Sequence, residues 1–90
     1  MEIELKEITK NKYIVKILSK KETEHIITIS DKTHKELTNK KITKKKLLLF
    51  SINFLLEREM NTSILKSFEL STISKYFPEY DLKIKKYFNI

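Results

Sequence analysis

The chain contains no cysteine, glycine, alanine, glutamine or tryptophan, and its 90 residues include one proline and one arginine. Each absence removes a class of chemistry. Without cysteine there is no disulfide, no thiolate-bound zinc and no cysteine nucleophile, a pattern that suits a reducing cytoplasm. Without glycine there is no Gly-x-Ser-x-Gly elbow and no glycine-rich phosphate loop. Tight primed hairpin turns are then disfavoured, and connections of three or more residues are expected instead. Long hydrophobic runs are missing too. The longest, Leu47–Leu56, is ten residues, about half of what a spanning helix needs. Lysines precede it and Glu57-Arg58-Glu59 follows it. The N-terminal MEIELKEITK alternates charged with apolar residues and has no signal-peptide pattern.

What is present is lysine, isoleucine, asparagine and aromatic residues, the set that A/T-rich codons supply. The net charge is +7, but of the 19 basic residues only Arg58 is an arginine. Recognition of phosphate or base edges favours the planar guanidinium fork, so a lysine-only excess weakens the case for nucleic-acid binding. Hydrophobic content of 40% with 34% charged residues describes a folded, highly charged globule. With no internal repeat, linker or break in composition, residues 1–90 read as one small domain. A chain this short buries roughly 60–65% of its unfolded surface, so a partner or a second copy would add stability.

Residues 2–8 alternate, with Ile3 and Leu5 on one face, and read as a half-buried strand. Asn11-Lys12 is the expected turn. Tyr13–Leu18 is β-branched and aromatic, with Tyr13, Val15 and Ile17 sharing a face. A third strand over 23–30 points Ile27 and Ile29 inward. Short connections make these a three-stranded antiparallel meander over about 2–30. Ser30 or Asp31 can cap a short helix to about Leu37, with Thr33 and Glu36 at capping-box spacing. Thr43 is the expected N-cap of a central helix over about 44–59, roughly 24 Å long, with Ile42 and Leu47 spaced as a hydrophobic staple. Leu47, Phe50 and Phe54, widened by Leu48, Ile52, Leu55 and Leu56, leave Ser51 and Asn53 as its polar positions. That helix needs cover on more than one side. Asn61-Thr62-Ser63 breaks the chain before 64–68, Ser71 caps 72–77, and Pro78 opens a last helix over 79–88. The fold class is therefore α+β: a meander packed against a helical C-terminal half.

Phe54-Leu55-Leu56-Glu57-Arg58-Glu59, Ser63-Ile64-Leu65, Ser67-Phe68 with Leu70, and Ile73-Ser74 with Tyr76-Phe77-Pro78-Glu79-Tyr80 form a recognisable pattern. It resembles the tail of a group of small bacterial proteins with no established activity, over roughly 47–84. Similar proteins often carry proline after Glu-Arg-Glu, where this chain has Met60. The resemblance implies a grouping and no mechanism.

Catalytic constellations are absent. His25 and His34 have no partner ligands at metal-site spacing, so neither a metal nor another cofactor is expected. Glu57 and Glu59 point about 200° apart on a helix and cannot serve as an acid–base pair. An enzyme is not expected. Two surfaces stand out. Lys40, Lys41, Lys44, Lys45 and Lys46 crowd a helix N-terminus, where the dipole already disfavours cations. They read either as an anion-contacting or nucleic-acid-contacting surface or as a solvated loop written by codon bias. Phe77, Tyr80, Tyr87 and Phe88 read as residues docking onto the core, with a partner interface or a membrane-surface face as alternatives. A ribbon-helix-helix does not fit, because two strands precede the one at 25–30 and its first helix is short. Helix-turn-helix wording over 64–77 fails because Pro78 cuts the second helix and Glu69 holds the turn position. The expectation is a cytoplasmic, non-enzymatic interaction module with a protein partner or self-association. The alternative is a basic nucleic-acid-binding accessory protein using the 40–46 lysines.

Overall fold

The computed structural model describes residues 2–90. Strands β1 (Glu2–Glu7), β2 (Lys12–Leu18) and β3 (Glu22–Thr28) pair antiparallel, with Leu5 opposite Val15 and Val15 opposite His25. Period-two alternation fixes the faces. Tyr13, Val15, Ile17 and Ile27 are buried, while Lys16, Leu18 and Ile26 are exposed on the opposite face. The first hairpin turns without glycine: Thr9 Oγ1 accepts the backbone N–H groups of Asn11 at 3.3 Å and Lys12 at 3.1 Å.

Helix α1 (Asp31–Thr38) starts at Ser30, whose Oγ accepts the Thr33 N–H at 3.1 Å. The expected box between Thr33 and Glu36 does not form; the Thr33 hydroxyl donates to Glu69 Oε1 at 2.9 Å instead. The helix ends on two left-handed residues, Asn39 at φ 52° and Lys40 at φ 60°. Asparagine tolerates that region best among residues other than glycine, which the chain lacks.

Helix α2 (Lys44–Leu56) is capped by Thr43, whose hydroxyl accepts the Lys46 N–H at 3.2 Å. It ends three residues short of the expected Glu59. The last turn tightens there, with the Arg58 N–H reaching Leu55 O at 2.9 Å, while Arg58 Nη1 donates to Phe54 O at 2.9 Å. Leu47, Leu48, Ile52, Phe54 and Leu55 are buried, Asn53 is exposed, and the polar Ser51 is fully buried. Ser51 Oγ donates to Leu47 O at 2.7 Å, so the buried Tyr80 hydroxyl donates in turn to Ser51 Oγ.

The sheet departs from a three-stranded meander. Residues 64–68, expected in a helical half, run extended, and β4 (Ser67–Glu69) pairs parallel to β3. The sheet is four-stranded and mixed, in the order β1-β2-β3-β4. The chain as a whole is α+β, completed by the short helix α3 (Thr72–Tyr76) and by α4 (Tyr80–Phe88). Three residues carry no readable period, so β4 exists only because β3 offers it partners: the Ile26 N–H bonds Lys66 O at 2.8 Å and the Leu70 N–H bonds Thr28 O at 2.9 Å.

Buried polar groups hold this segment down. Asn61 Nδ2 donates to Lys21 O and to Thr23 Oγ1, both at 2.9 Å. His25 Nδ1 lies 2.7 Å from Leu65 O, which can only accept, so Nδ1 carries the proton. Nε2 then accepts from the Thr23 hydroxyl at 2.9 Å. Glu69 closes the arrangement, accepting from Ser30 N at 3.0 Å, Thr33 Oγ1 at 2.9 Å and Ser71 N at 2.8 Å. Ser71 makes no side-chain cap to α3. Partial burial alone would raise the Glu69 pKa, but the Ser71, Ser30 and Thr33 hydrogen bonds outweigh it and hold the carboxyl below its ordinary value.

Glu69→Ala should destabilise the protein by about 2 kcal/mol, because three donors lose a charged acceptor. Circular-dichroism melting should show a fall of roughly 8–16 °C. A depressed folded-state pKa stabilises above the ordinary carboxylate pKa and ceases to do so as pH falls through the folded value. The gap between the variant and the parent should therefore close in acid.

Candidate functional site

Where α2 ends, the Asn61–Ser63 3₁₀ turn, β4 and α3 enclose a cleft of about 330 Å³. Its floor is buried: Leu55, Ile64 and Ile73. Half-buried Phe68 and Phe77 form its walls, and Glu59 and Thr72 stand at its margin. Two large apolar side chains on its rim stay in water, Leu65 at 50% exposure and Tyr76 at 68%. The segment 61–66 is in place because Asn61 and His25 bind its backbone and side chains to the β2–β3 hairpin. Behind the wall residue Phe77, which meets Phe54 at 5.8 Å, the Arg58 guanidinium lies 3.5 Å over the Phe54 ring and bonds Glu79 Oε2 at 3.3 Å. Glu79 is held below the ordinary carboxylate value first by its own backbone N–H and then by Arg58. The cleft thus offers preformed apolar area and little polar functionality. Glu59 and the exposed Tyr76 are the titratable side chains along its lining.

The lysine cluster is divided. Lys44 turns inward, with its side chain only 11% exposed, and Nζ bonds Asn11 Oδ1 at 2.6 Å and Asp31 Oδ1 at 2.8 Å. Asp31 also takes Lys10 at 3.3 Å. Bonding first by Lys44 and then by Lys10 lowers the Asp31 carboxyl to about 2. Lys44 is therefore a strut between the first hairpin, α1 and α2. Lys40, Lys41, Lys45 and Lys46 remain exposed. Charge segregates strongly around them: residues 31–46 hold seven lysines against Asp31 and Glu36, five of the chain's seven net positive charges. A second basic group, Lys32, Lys35, Lys41 and Lys85, lines a groove where α1 and α4 both end. Two helix C-termini meet there, so those lysines offset carbonyl dipoles and the groove is a poor place for an anion.

The four aromatics separate in the same way. Tyr80 is fully buried, its hydroxyl on Ser51 and its pKa raised by that burial. It cannot present a surface to a partner. Phe77 meets Phe54 edge-on at 5.8 Å and Phe88 packs on Phe50 at 5.5 Å. Tyr87 is 70% exposed, although its ring contacts Phe50 at 5.0 Å. Docking onto α2 therefore accounts for three of the four positions.

Both histidines are engaged, His25 as above and His34 through Nε2 to Ile42 O. Among the described residues no three acidic or histidine side chains gather as a metal site, and no helix is long and apolar enough to cross a membrane. No protein-family model, no curated protein and no solved structure matches this chain. Leu65 and Tyr76 were not singled out by sequence, since an exposed leucine in a helical segment carries no mark of its own. Only the extended path of 64–66 places it on a rim.

Lys44→Gln should let the Asp31 carboxyl rise from about 2 toward its ordinary 3.8, whereas Lys45→Gln should leave it in place. Side-chain carboxyl NMR titration reads both. Because the folded pKa is depressed, the Asp31 contribution is complete above about 3.8 and disappears as pH falls through about 2.

Proposed function

We propose that this protein is a non-enzymatic interaction module that binds a protein partner through the cleft at the C-terminal end of α2. The observation that carries the reading is a preformed apolar cleft with Leu65 and Tyr76 exposed on its rim. Aromatic and aliphatic anchors beside a pocket are the usual centre of a protein interface. The lining residues Ile64, Leu65, Phe68, Ile73, Tyr76 and Phe77 all belong to the pattern that resembles the small bacterial proteins. On this reading, that group shares the cleft as its common feature and works in the cytoplasm.

A second reading, nucleic-acid binding, draws on the concentration of five net positive charges in residues 31–46. Lys40, Lys41, Lys45 and Lys46 would supply it by contacting phosphates. Lys44 is already occupied by Asp31.

Affinity capture with and without nuclease, run in parallel on the parent and on Leu65→Asp/Tyr76→Asp, separates the two. The cleft reading expects a co-purifying protein that survives nuclease and is lost from the variant, whose melting curve stays within a few degrees of the parent's because surface substitutions cost little. Capture that vanishes with nuclease, ignores the double variant and weakens in Lys45→Gln/Lys46→Gln overturns it in favour of the second reading.

A further inference from the structure

Among the described residues β1 is an edge strand, paired on one side only. The Ile8 N–H donates to Lys12 O at 2.8 Å, in the register that sets Lys6 opposite Ile14 and Glu4 opposite Lys16. The even-numbered residues of β1 therefore turn their backbone groups to β2. Ile3, Leu5 and Glu7 turn theirs to the open edge. Edges are guarded against pairing by proline, a bulge, an inward-pointing charge, or charged side chains that repel the partner they would meet. β1 has neither proline nor bulge; Ile3 and Leu5 point to the core side and are only half-buried, Glu7 follows them on that face at the strand's end, and Glu2, Glu4 and Lys6 on the outer face guard the edge only against registers that oppose like charges.

The order of those charges selects a partner. In an antiparallel pairing of two copies, residues opposite each other must share a face, which leaves three central registers. One sets Glu4 against Glu4 and another sets Lys6 against Lys6. The third sets Leu5 against Leu5 on a two-fold axis, Ile3 against Glu7, and Glu4 against Lys6 twice. It alone opposes no like charges. It also continues a row already present in each chain, where Glu4 faces Lys16 and Lys16 faces Glu24. Across the joint the outer face would read Glu24, Lys16, Glu4, then Lys6 of the second copy. Signs alternate throughout.

We infer that β1 is a self-association edge, joining two copies of this chain antiparallel about Leu5 into one continuous eight-stranded sheet. About six backbone hydrogen bonds form, two Glu4–Lys6 pairs fix the register, and the half-buried Leu5 of each copy meets the other on the axis, flanked by Ile3. This surface is remote from the cleft, so the inference stands or falls separately from the proposed partner binding.

The test is the mass in solution of the full chain and its charge-reversed forms. The parent should show concentration-dependent mass rising toward twice 10.8 kDa. Lys6→Glu places Glu against Glu twice and Glu4→Lys places Lys against Lys twice, so each variant alone should associate about tenfold or more weakly. An equimolar mixture of the two restores both opposite pairs and should recover the dimer. Glu4→Lys also faces Lys16 of its own sheet. Should it fail to fold, Lys6→Glu, opposite Ile14, still decides the loss of association. The chain has no other cysteine, so Leu5→Cys should oxidise to a covalent dimer, because paired Cα atoms about 5.5 Å apart permit a disulfide. Ile3→Cys, which faces Glu7, should not. A parent that stays at one chain's mass at every concentration overturns the inference, as does a dimer indifferent to Lys6→Glu or one that cross-links through Ile3→Cys.

Discussion

A helix that is apolar around most of its circumference must be walled on more than one side, and most of this fold follows from that demand. Leu47, Leu48, Ile52 and Leu55 of α2 need the sheet, and Phe50 and Phe54 need α4 and the turn before it. The exposed positions of α2 are Lys45, Lys46, Leu49 and Asn53. Ser51 would be an isolated polar group inside this packing. The hydrogen bond to Leu47 O and the Tyr80 hydroxyl beside it satisfy the serine and set the depth at which α4 sits. Burying the tyrosine also explains why an aromatic that looks available in sequence is structural.

The second wall is held by polar groups out of water, where each donor needs an acceptor. Asn61, Thr23 and His25 hand hydrogen bonds along one line to Leu65 O, and Glu69 gathers three donors from α1 and from the start of α3. These contacts join residues some 40 positions apart in the chain and hold 61–71 against the hairpin. A parallel edge strand of three residues has little stability of its own. The polar ties make it permanent, and its extended path creates the cleft. Structure and candidate function meet in that segment.

Strand faces, the Thr43 cap, the Ser30 alternative for the cap of α1 and the apolar load of α2 were legible because each is a local pattern: alternation at Tyr13, Val15 and Ile17, and Ser30 and Thr43 one residue before a helix. The departures were of the opposite kind. β4 has too few residues to show a period. The hydroxyl of Thr33 went to a distant carboxylate in place of its helical neighbour. Arg58 and Glu59 left the helix when the Arg58 guanidinium turned back over Phe54. The five lysines looked equivalent as a run, and the approach of Asp31 and Asn11 made Lys44 unlike the rest.

The sequence by itself determined the α+β class, the inward faces of the first three strands and the excess of lysine over arginine, because periodicity, capping and composition are properties of neighbouring residues. Tertiary structure decided the rest: a fourth strand parallel to the third, a buried Tyr80, an inward Lys44, and a cleft rimmed by Leu65 and Tyr76. Each depends on hydrogen bonds or packing between residues far apart in the chain. Such partners exist only once the chain has folded, and no local pattern announces them.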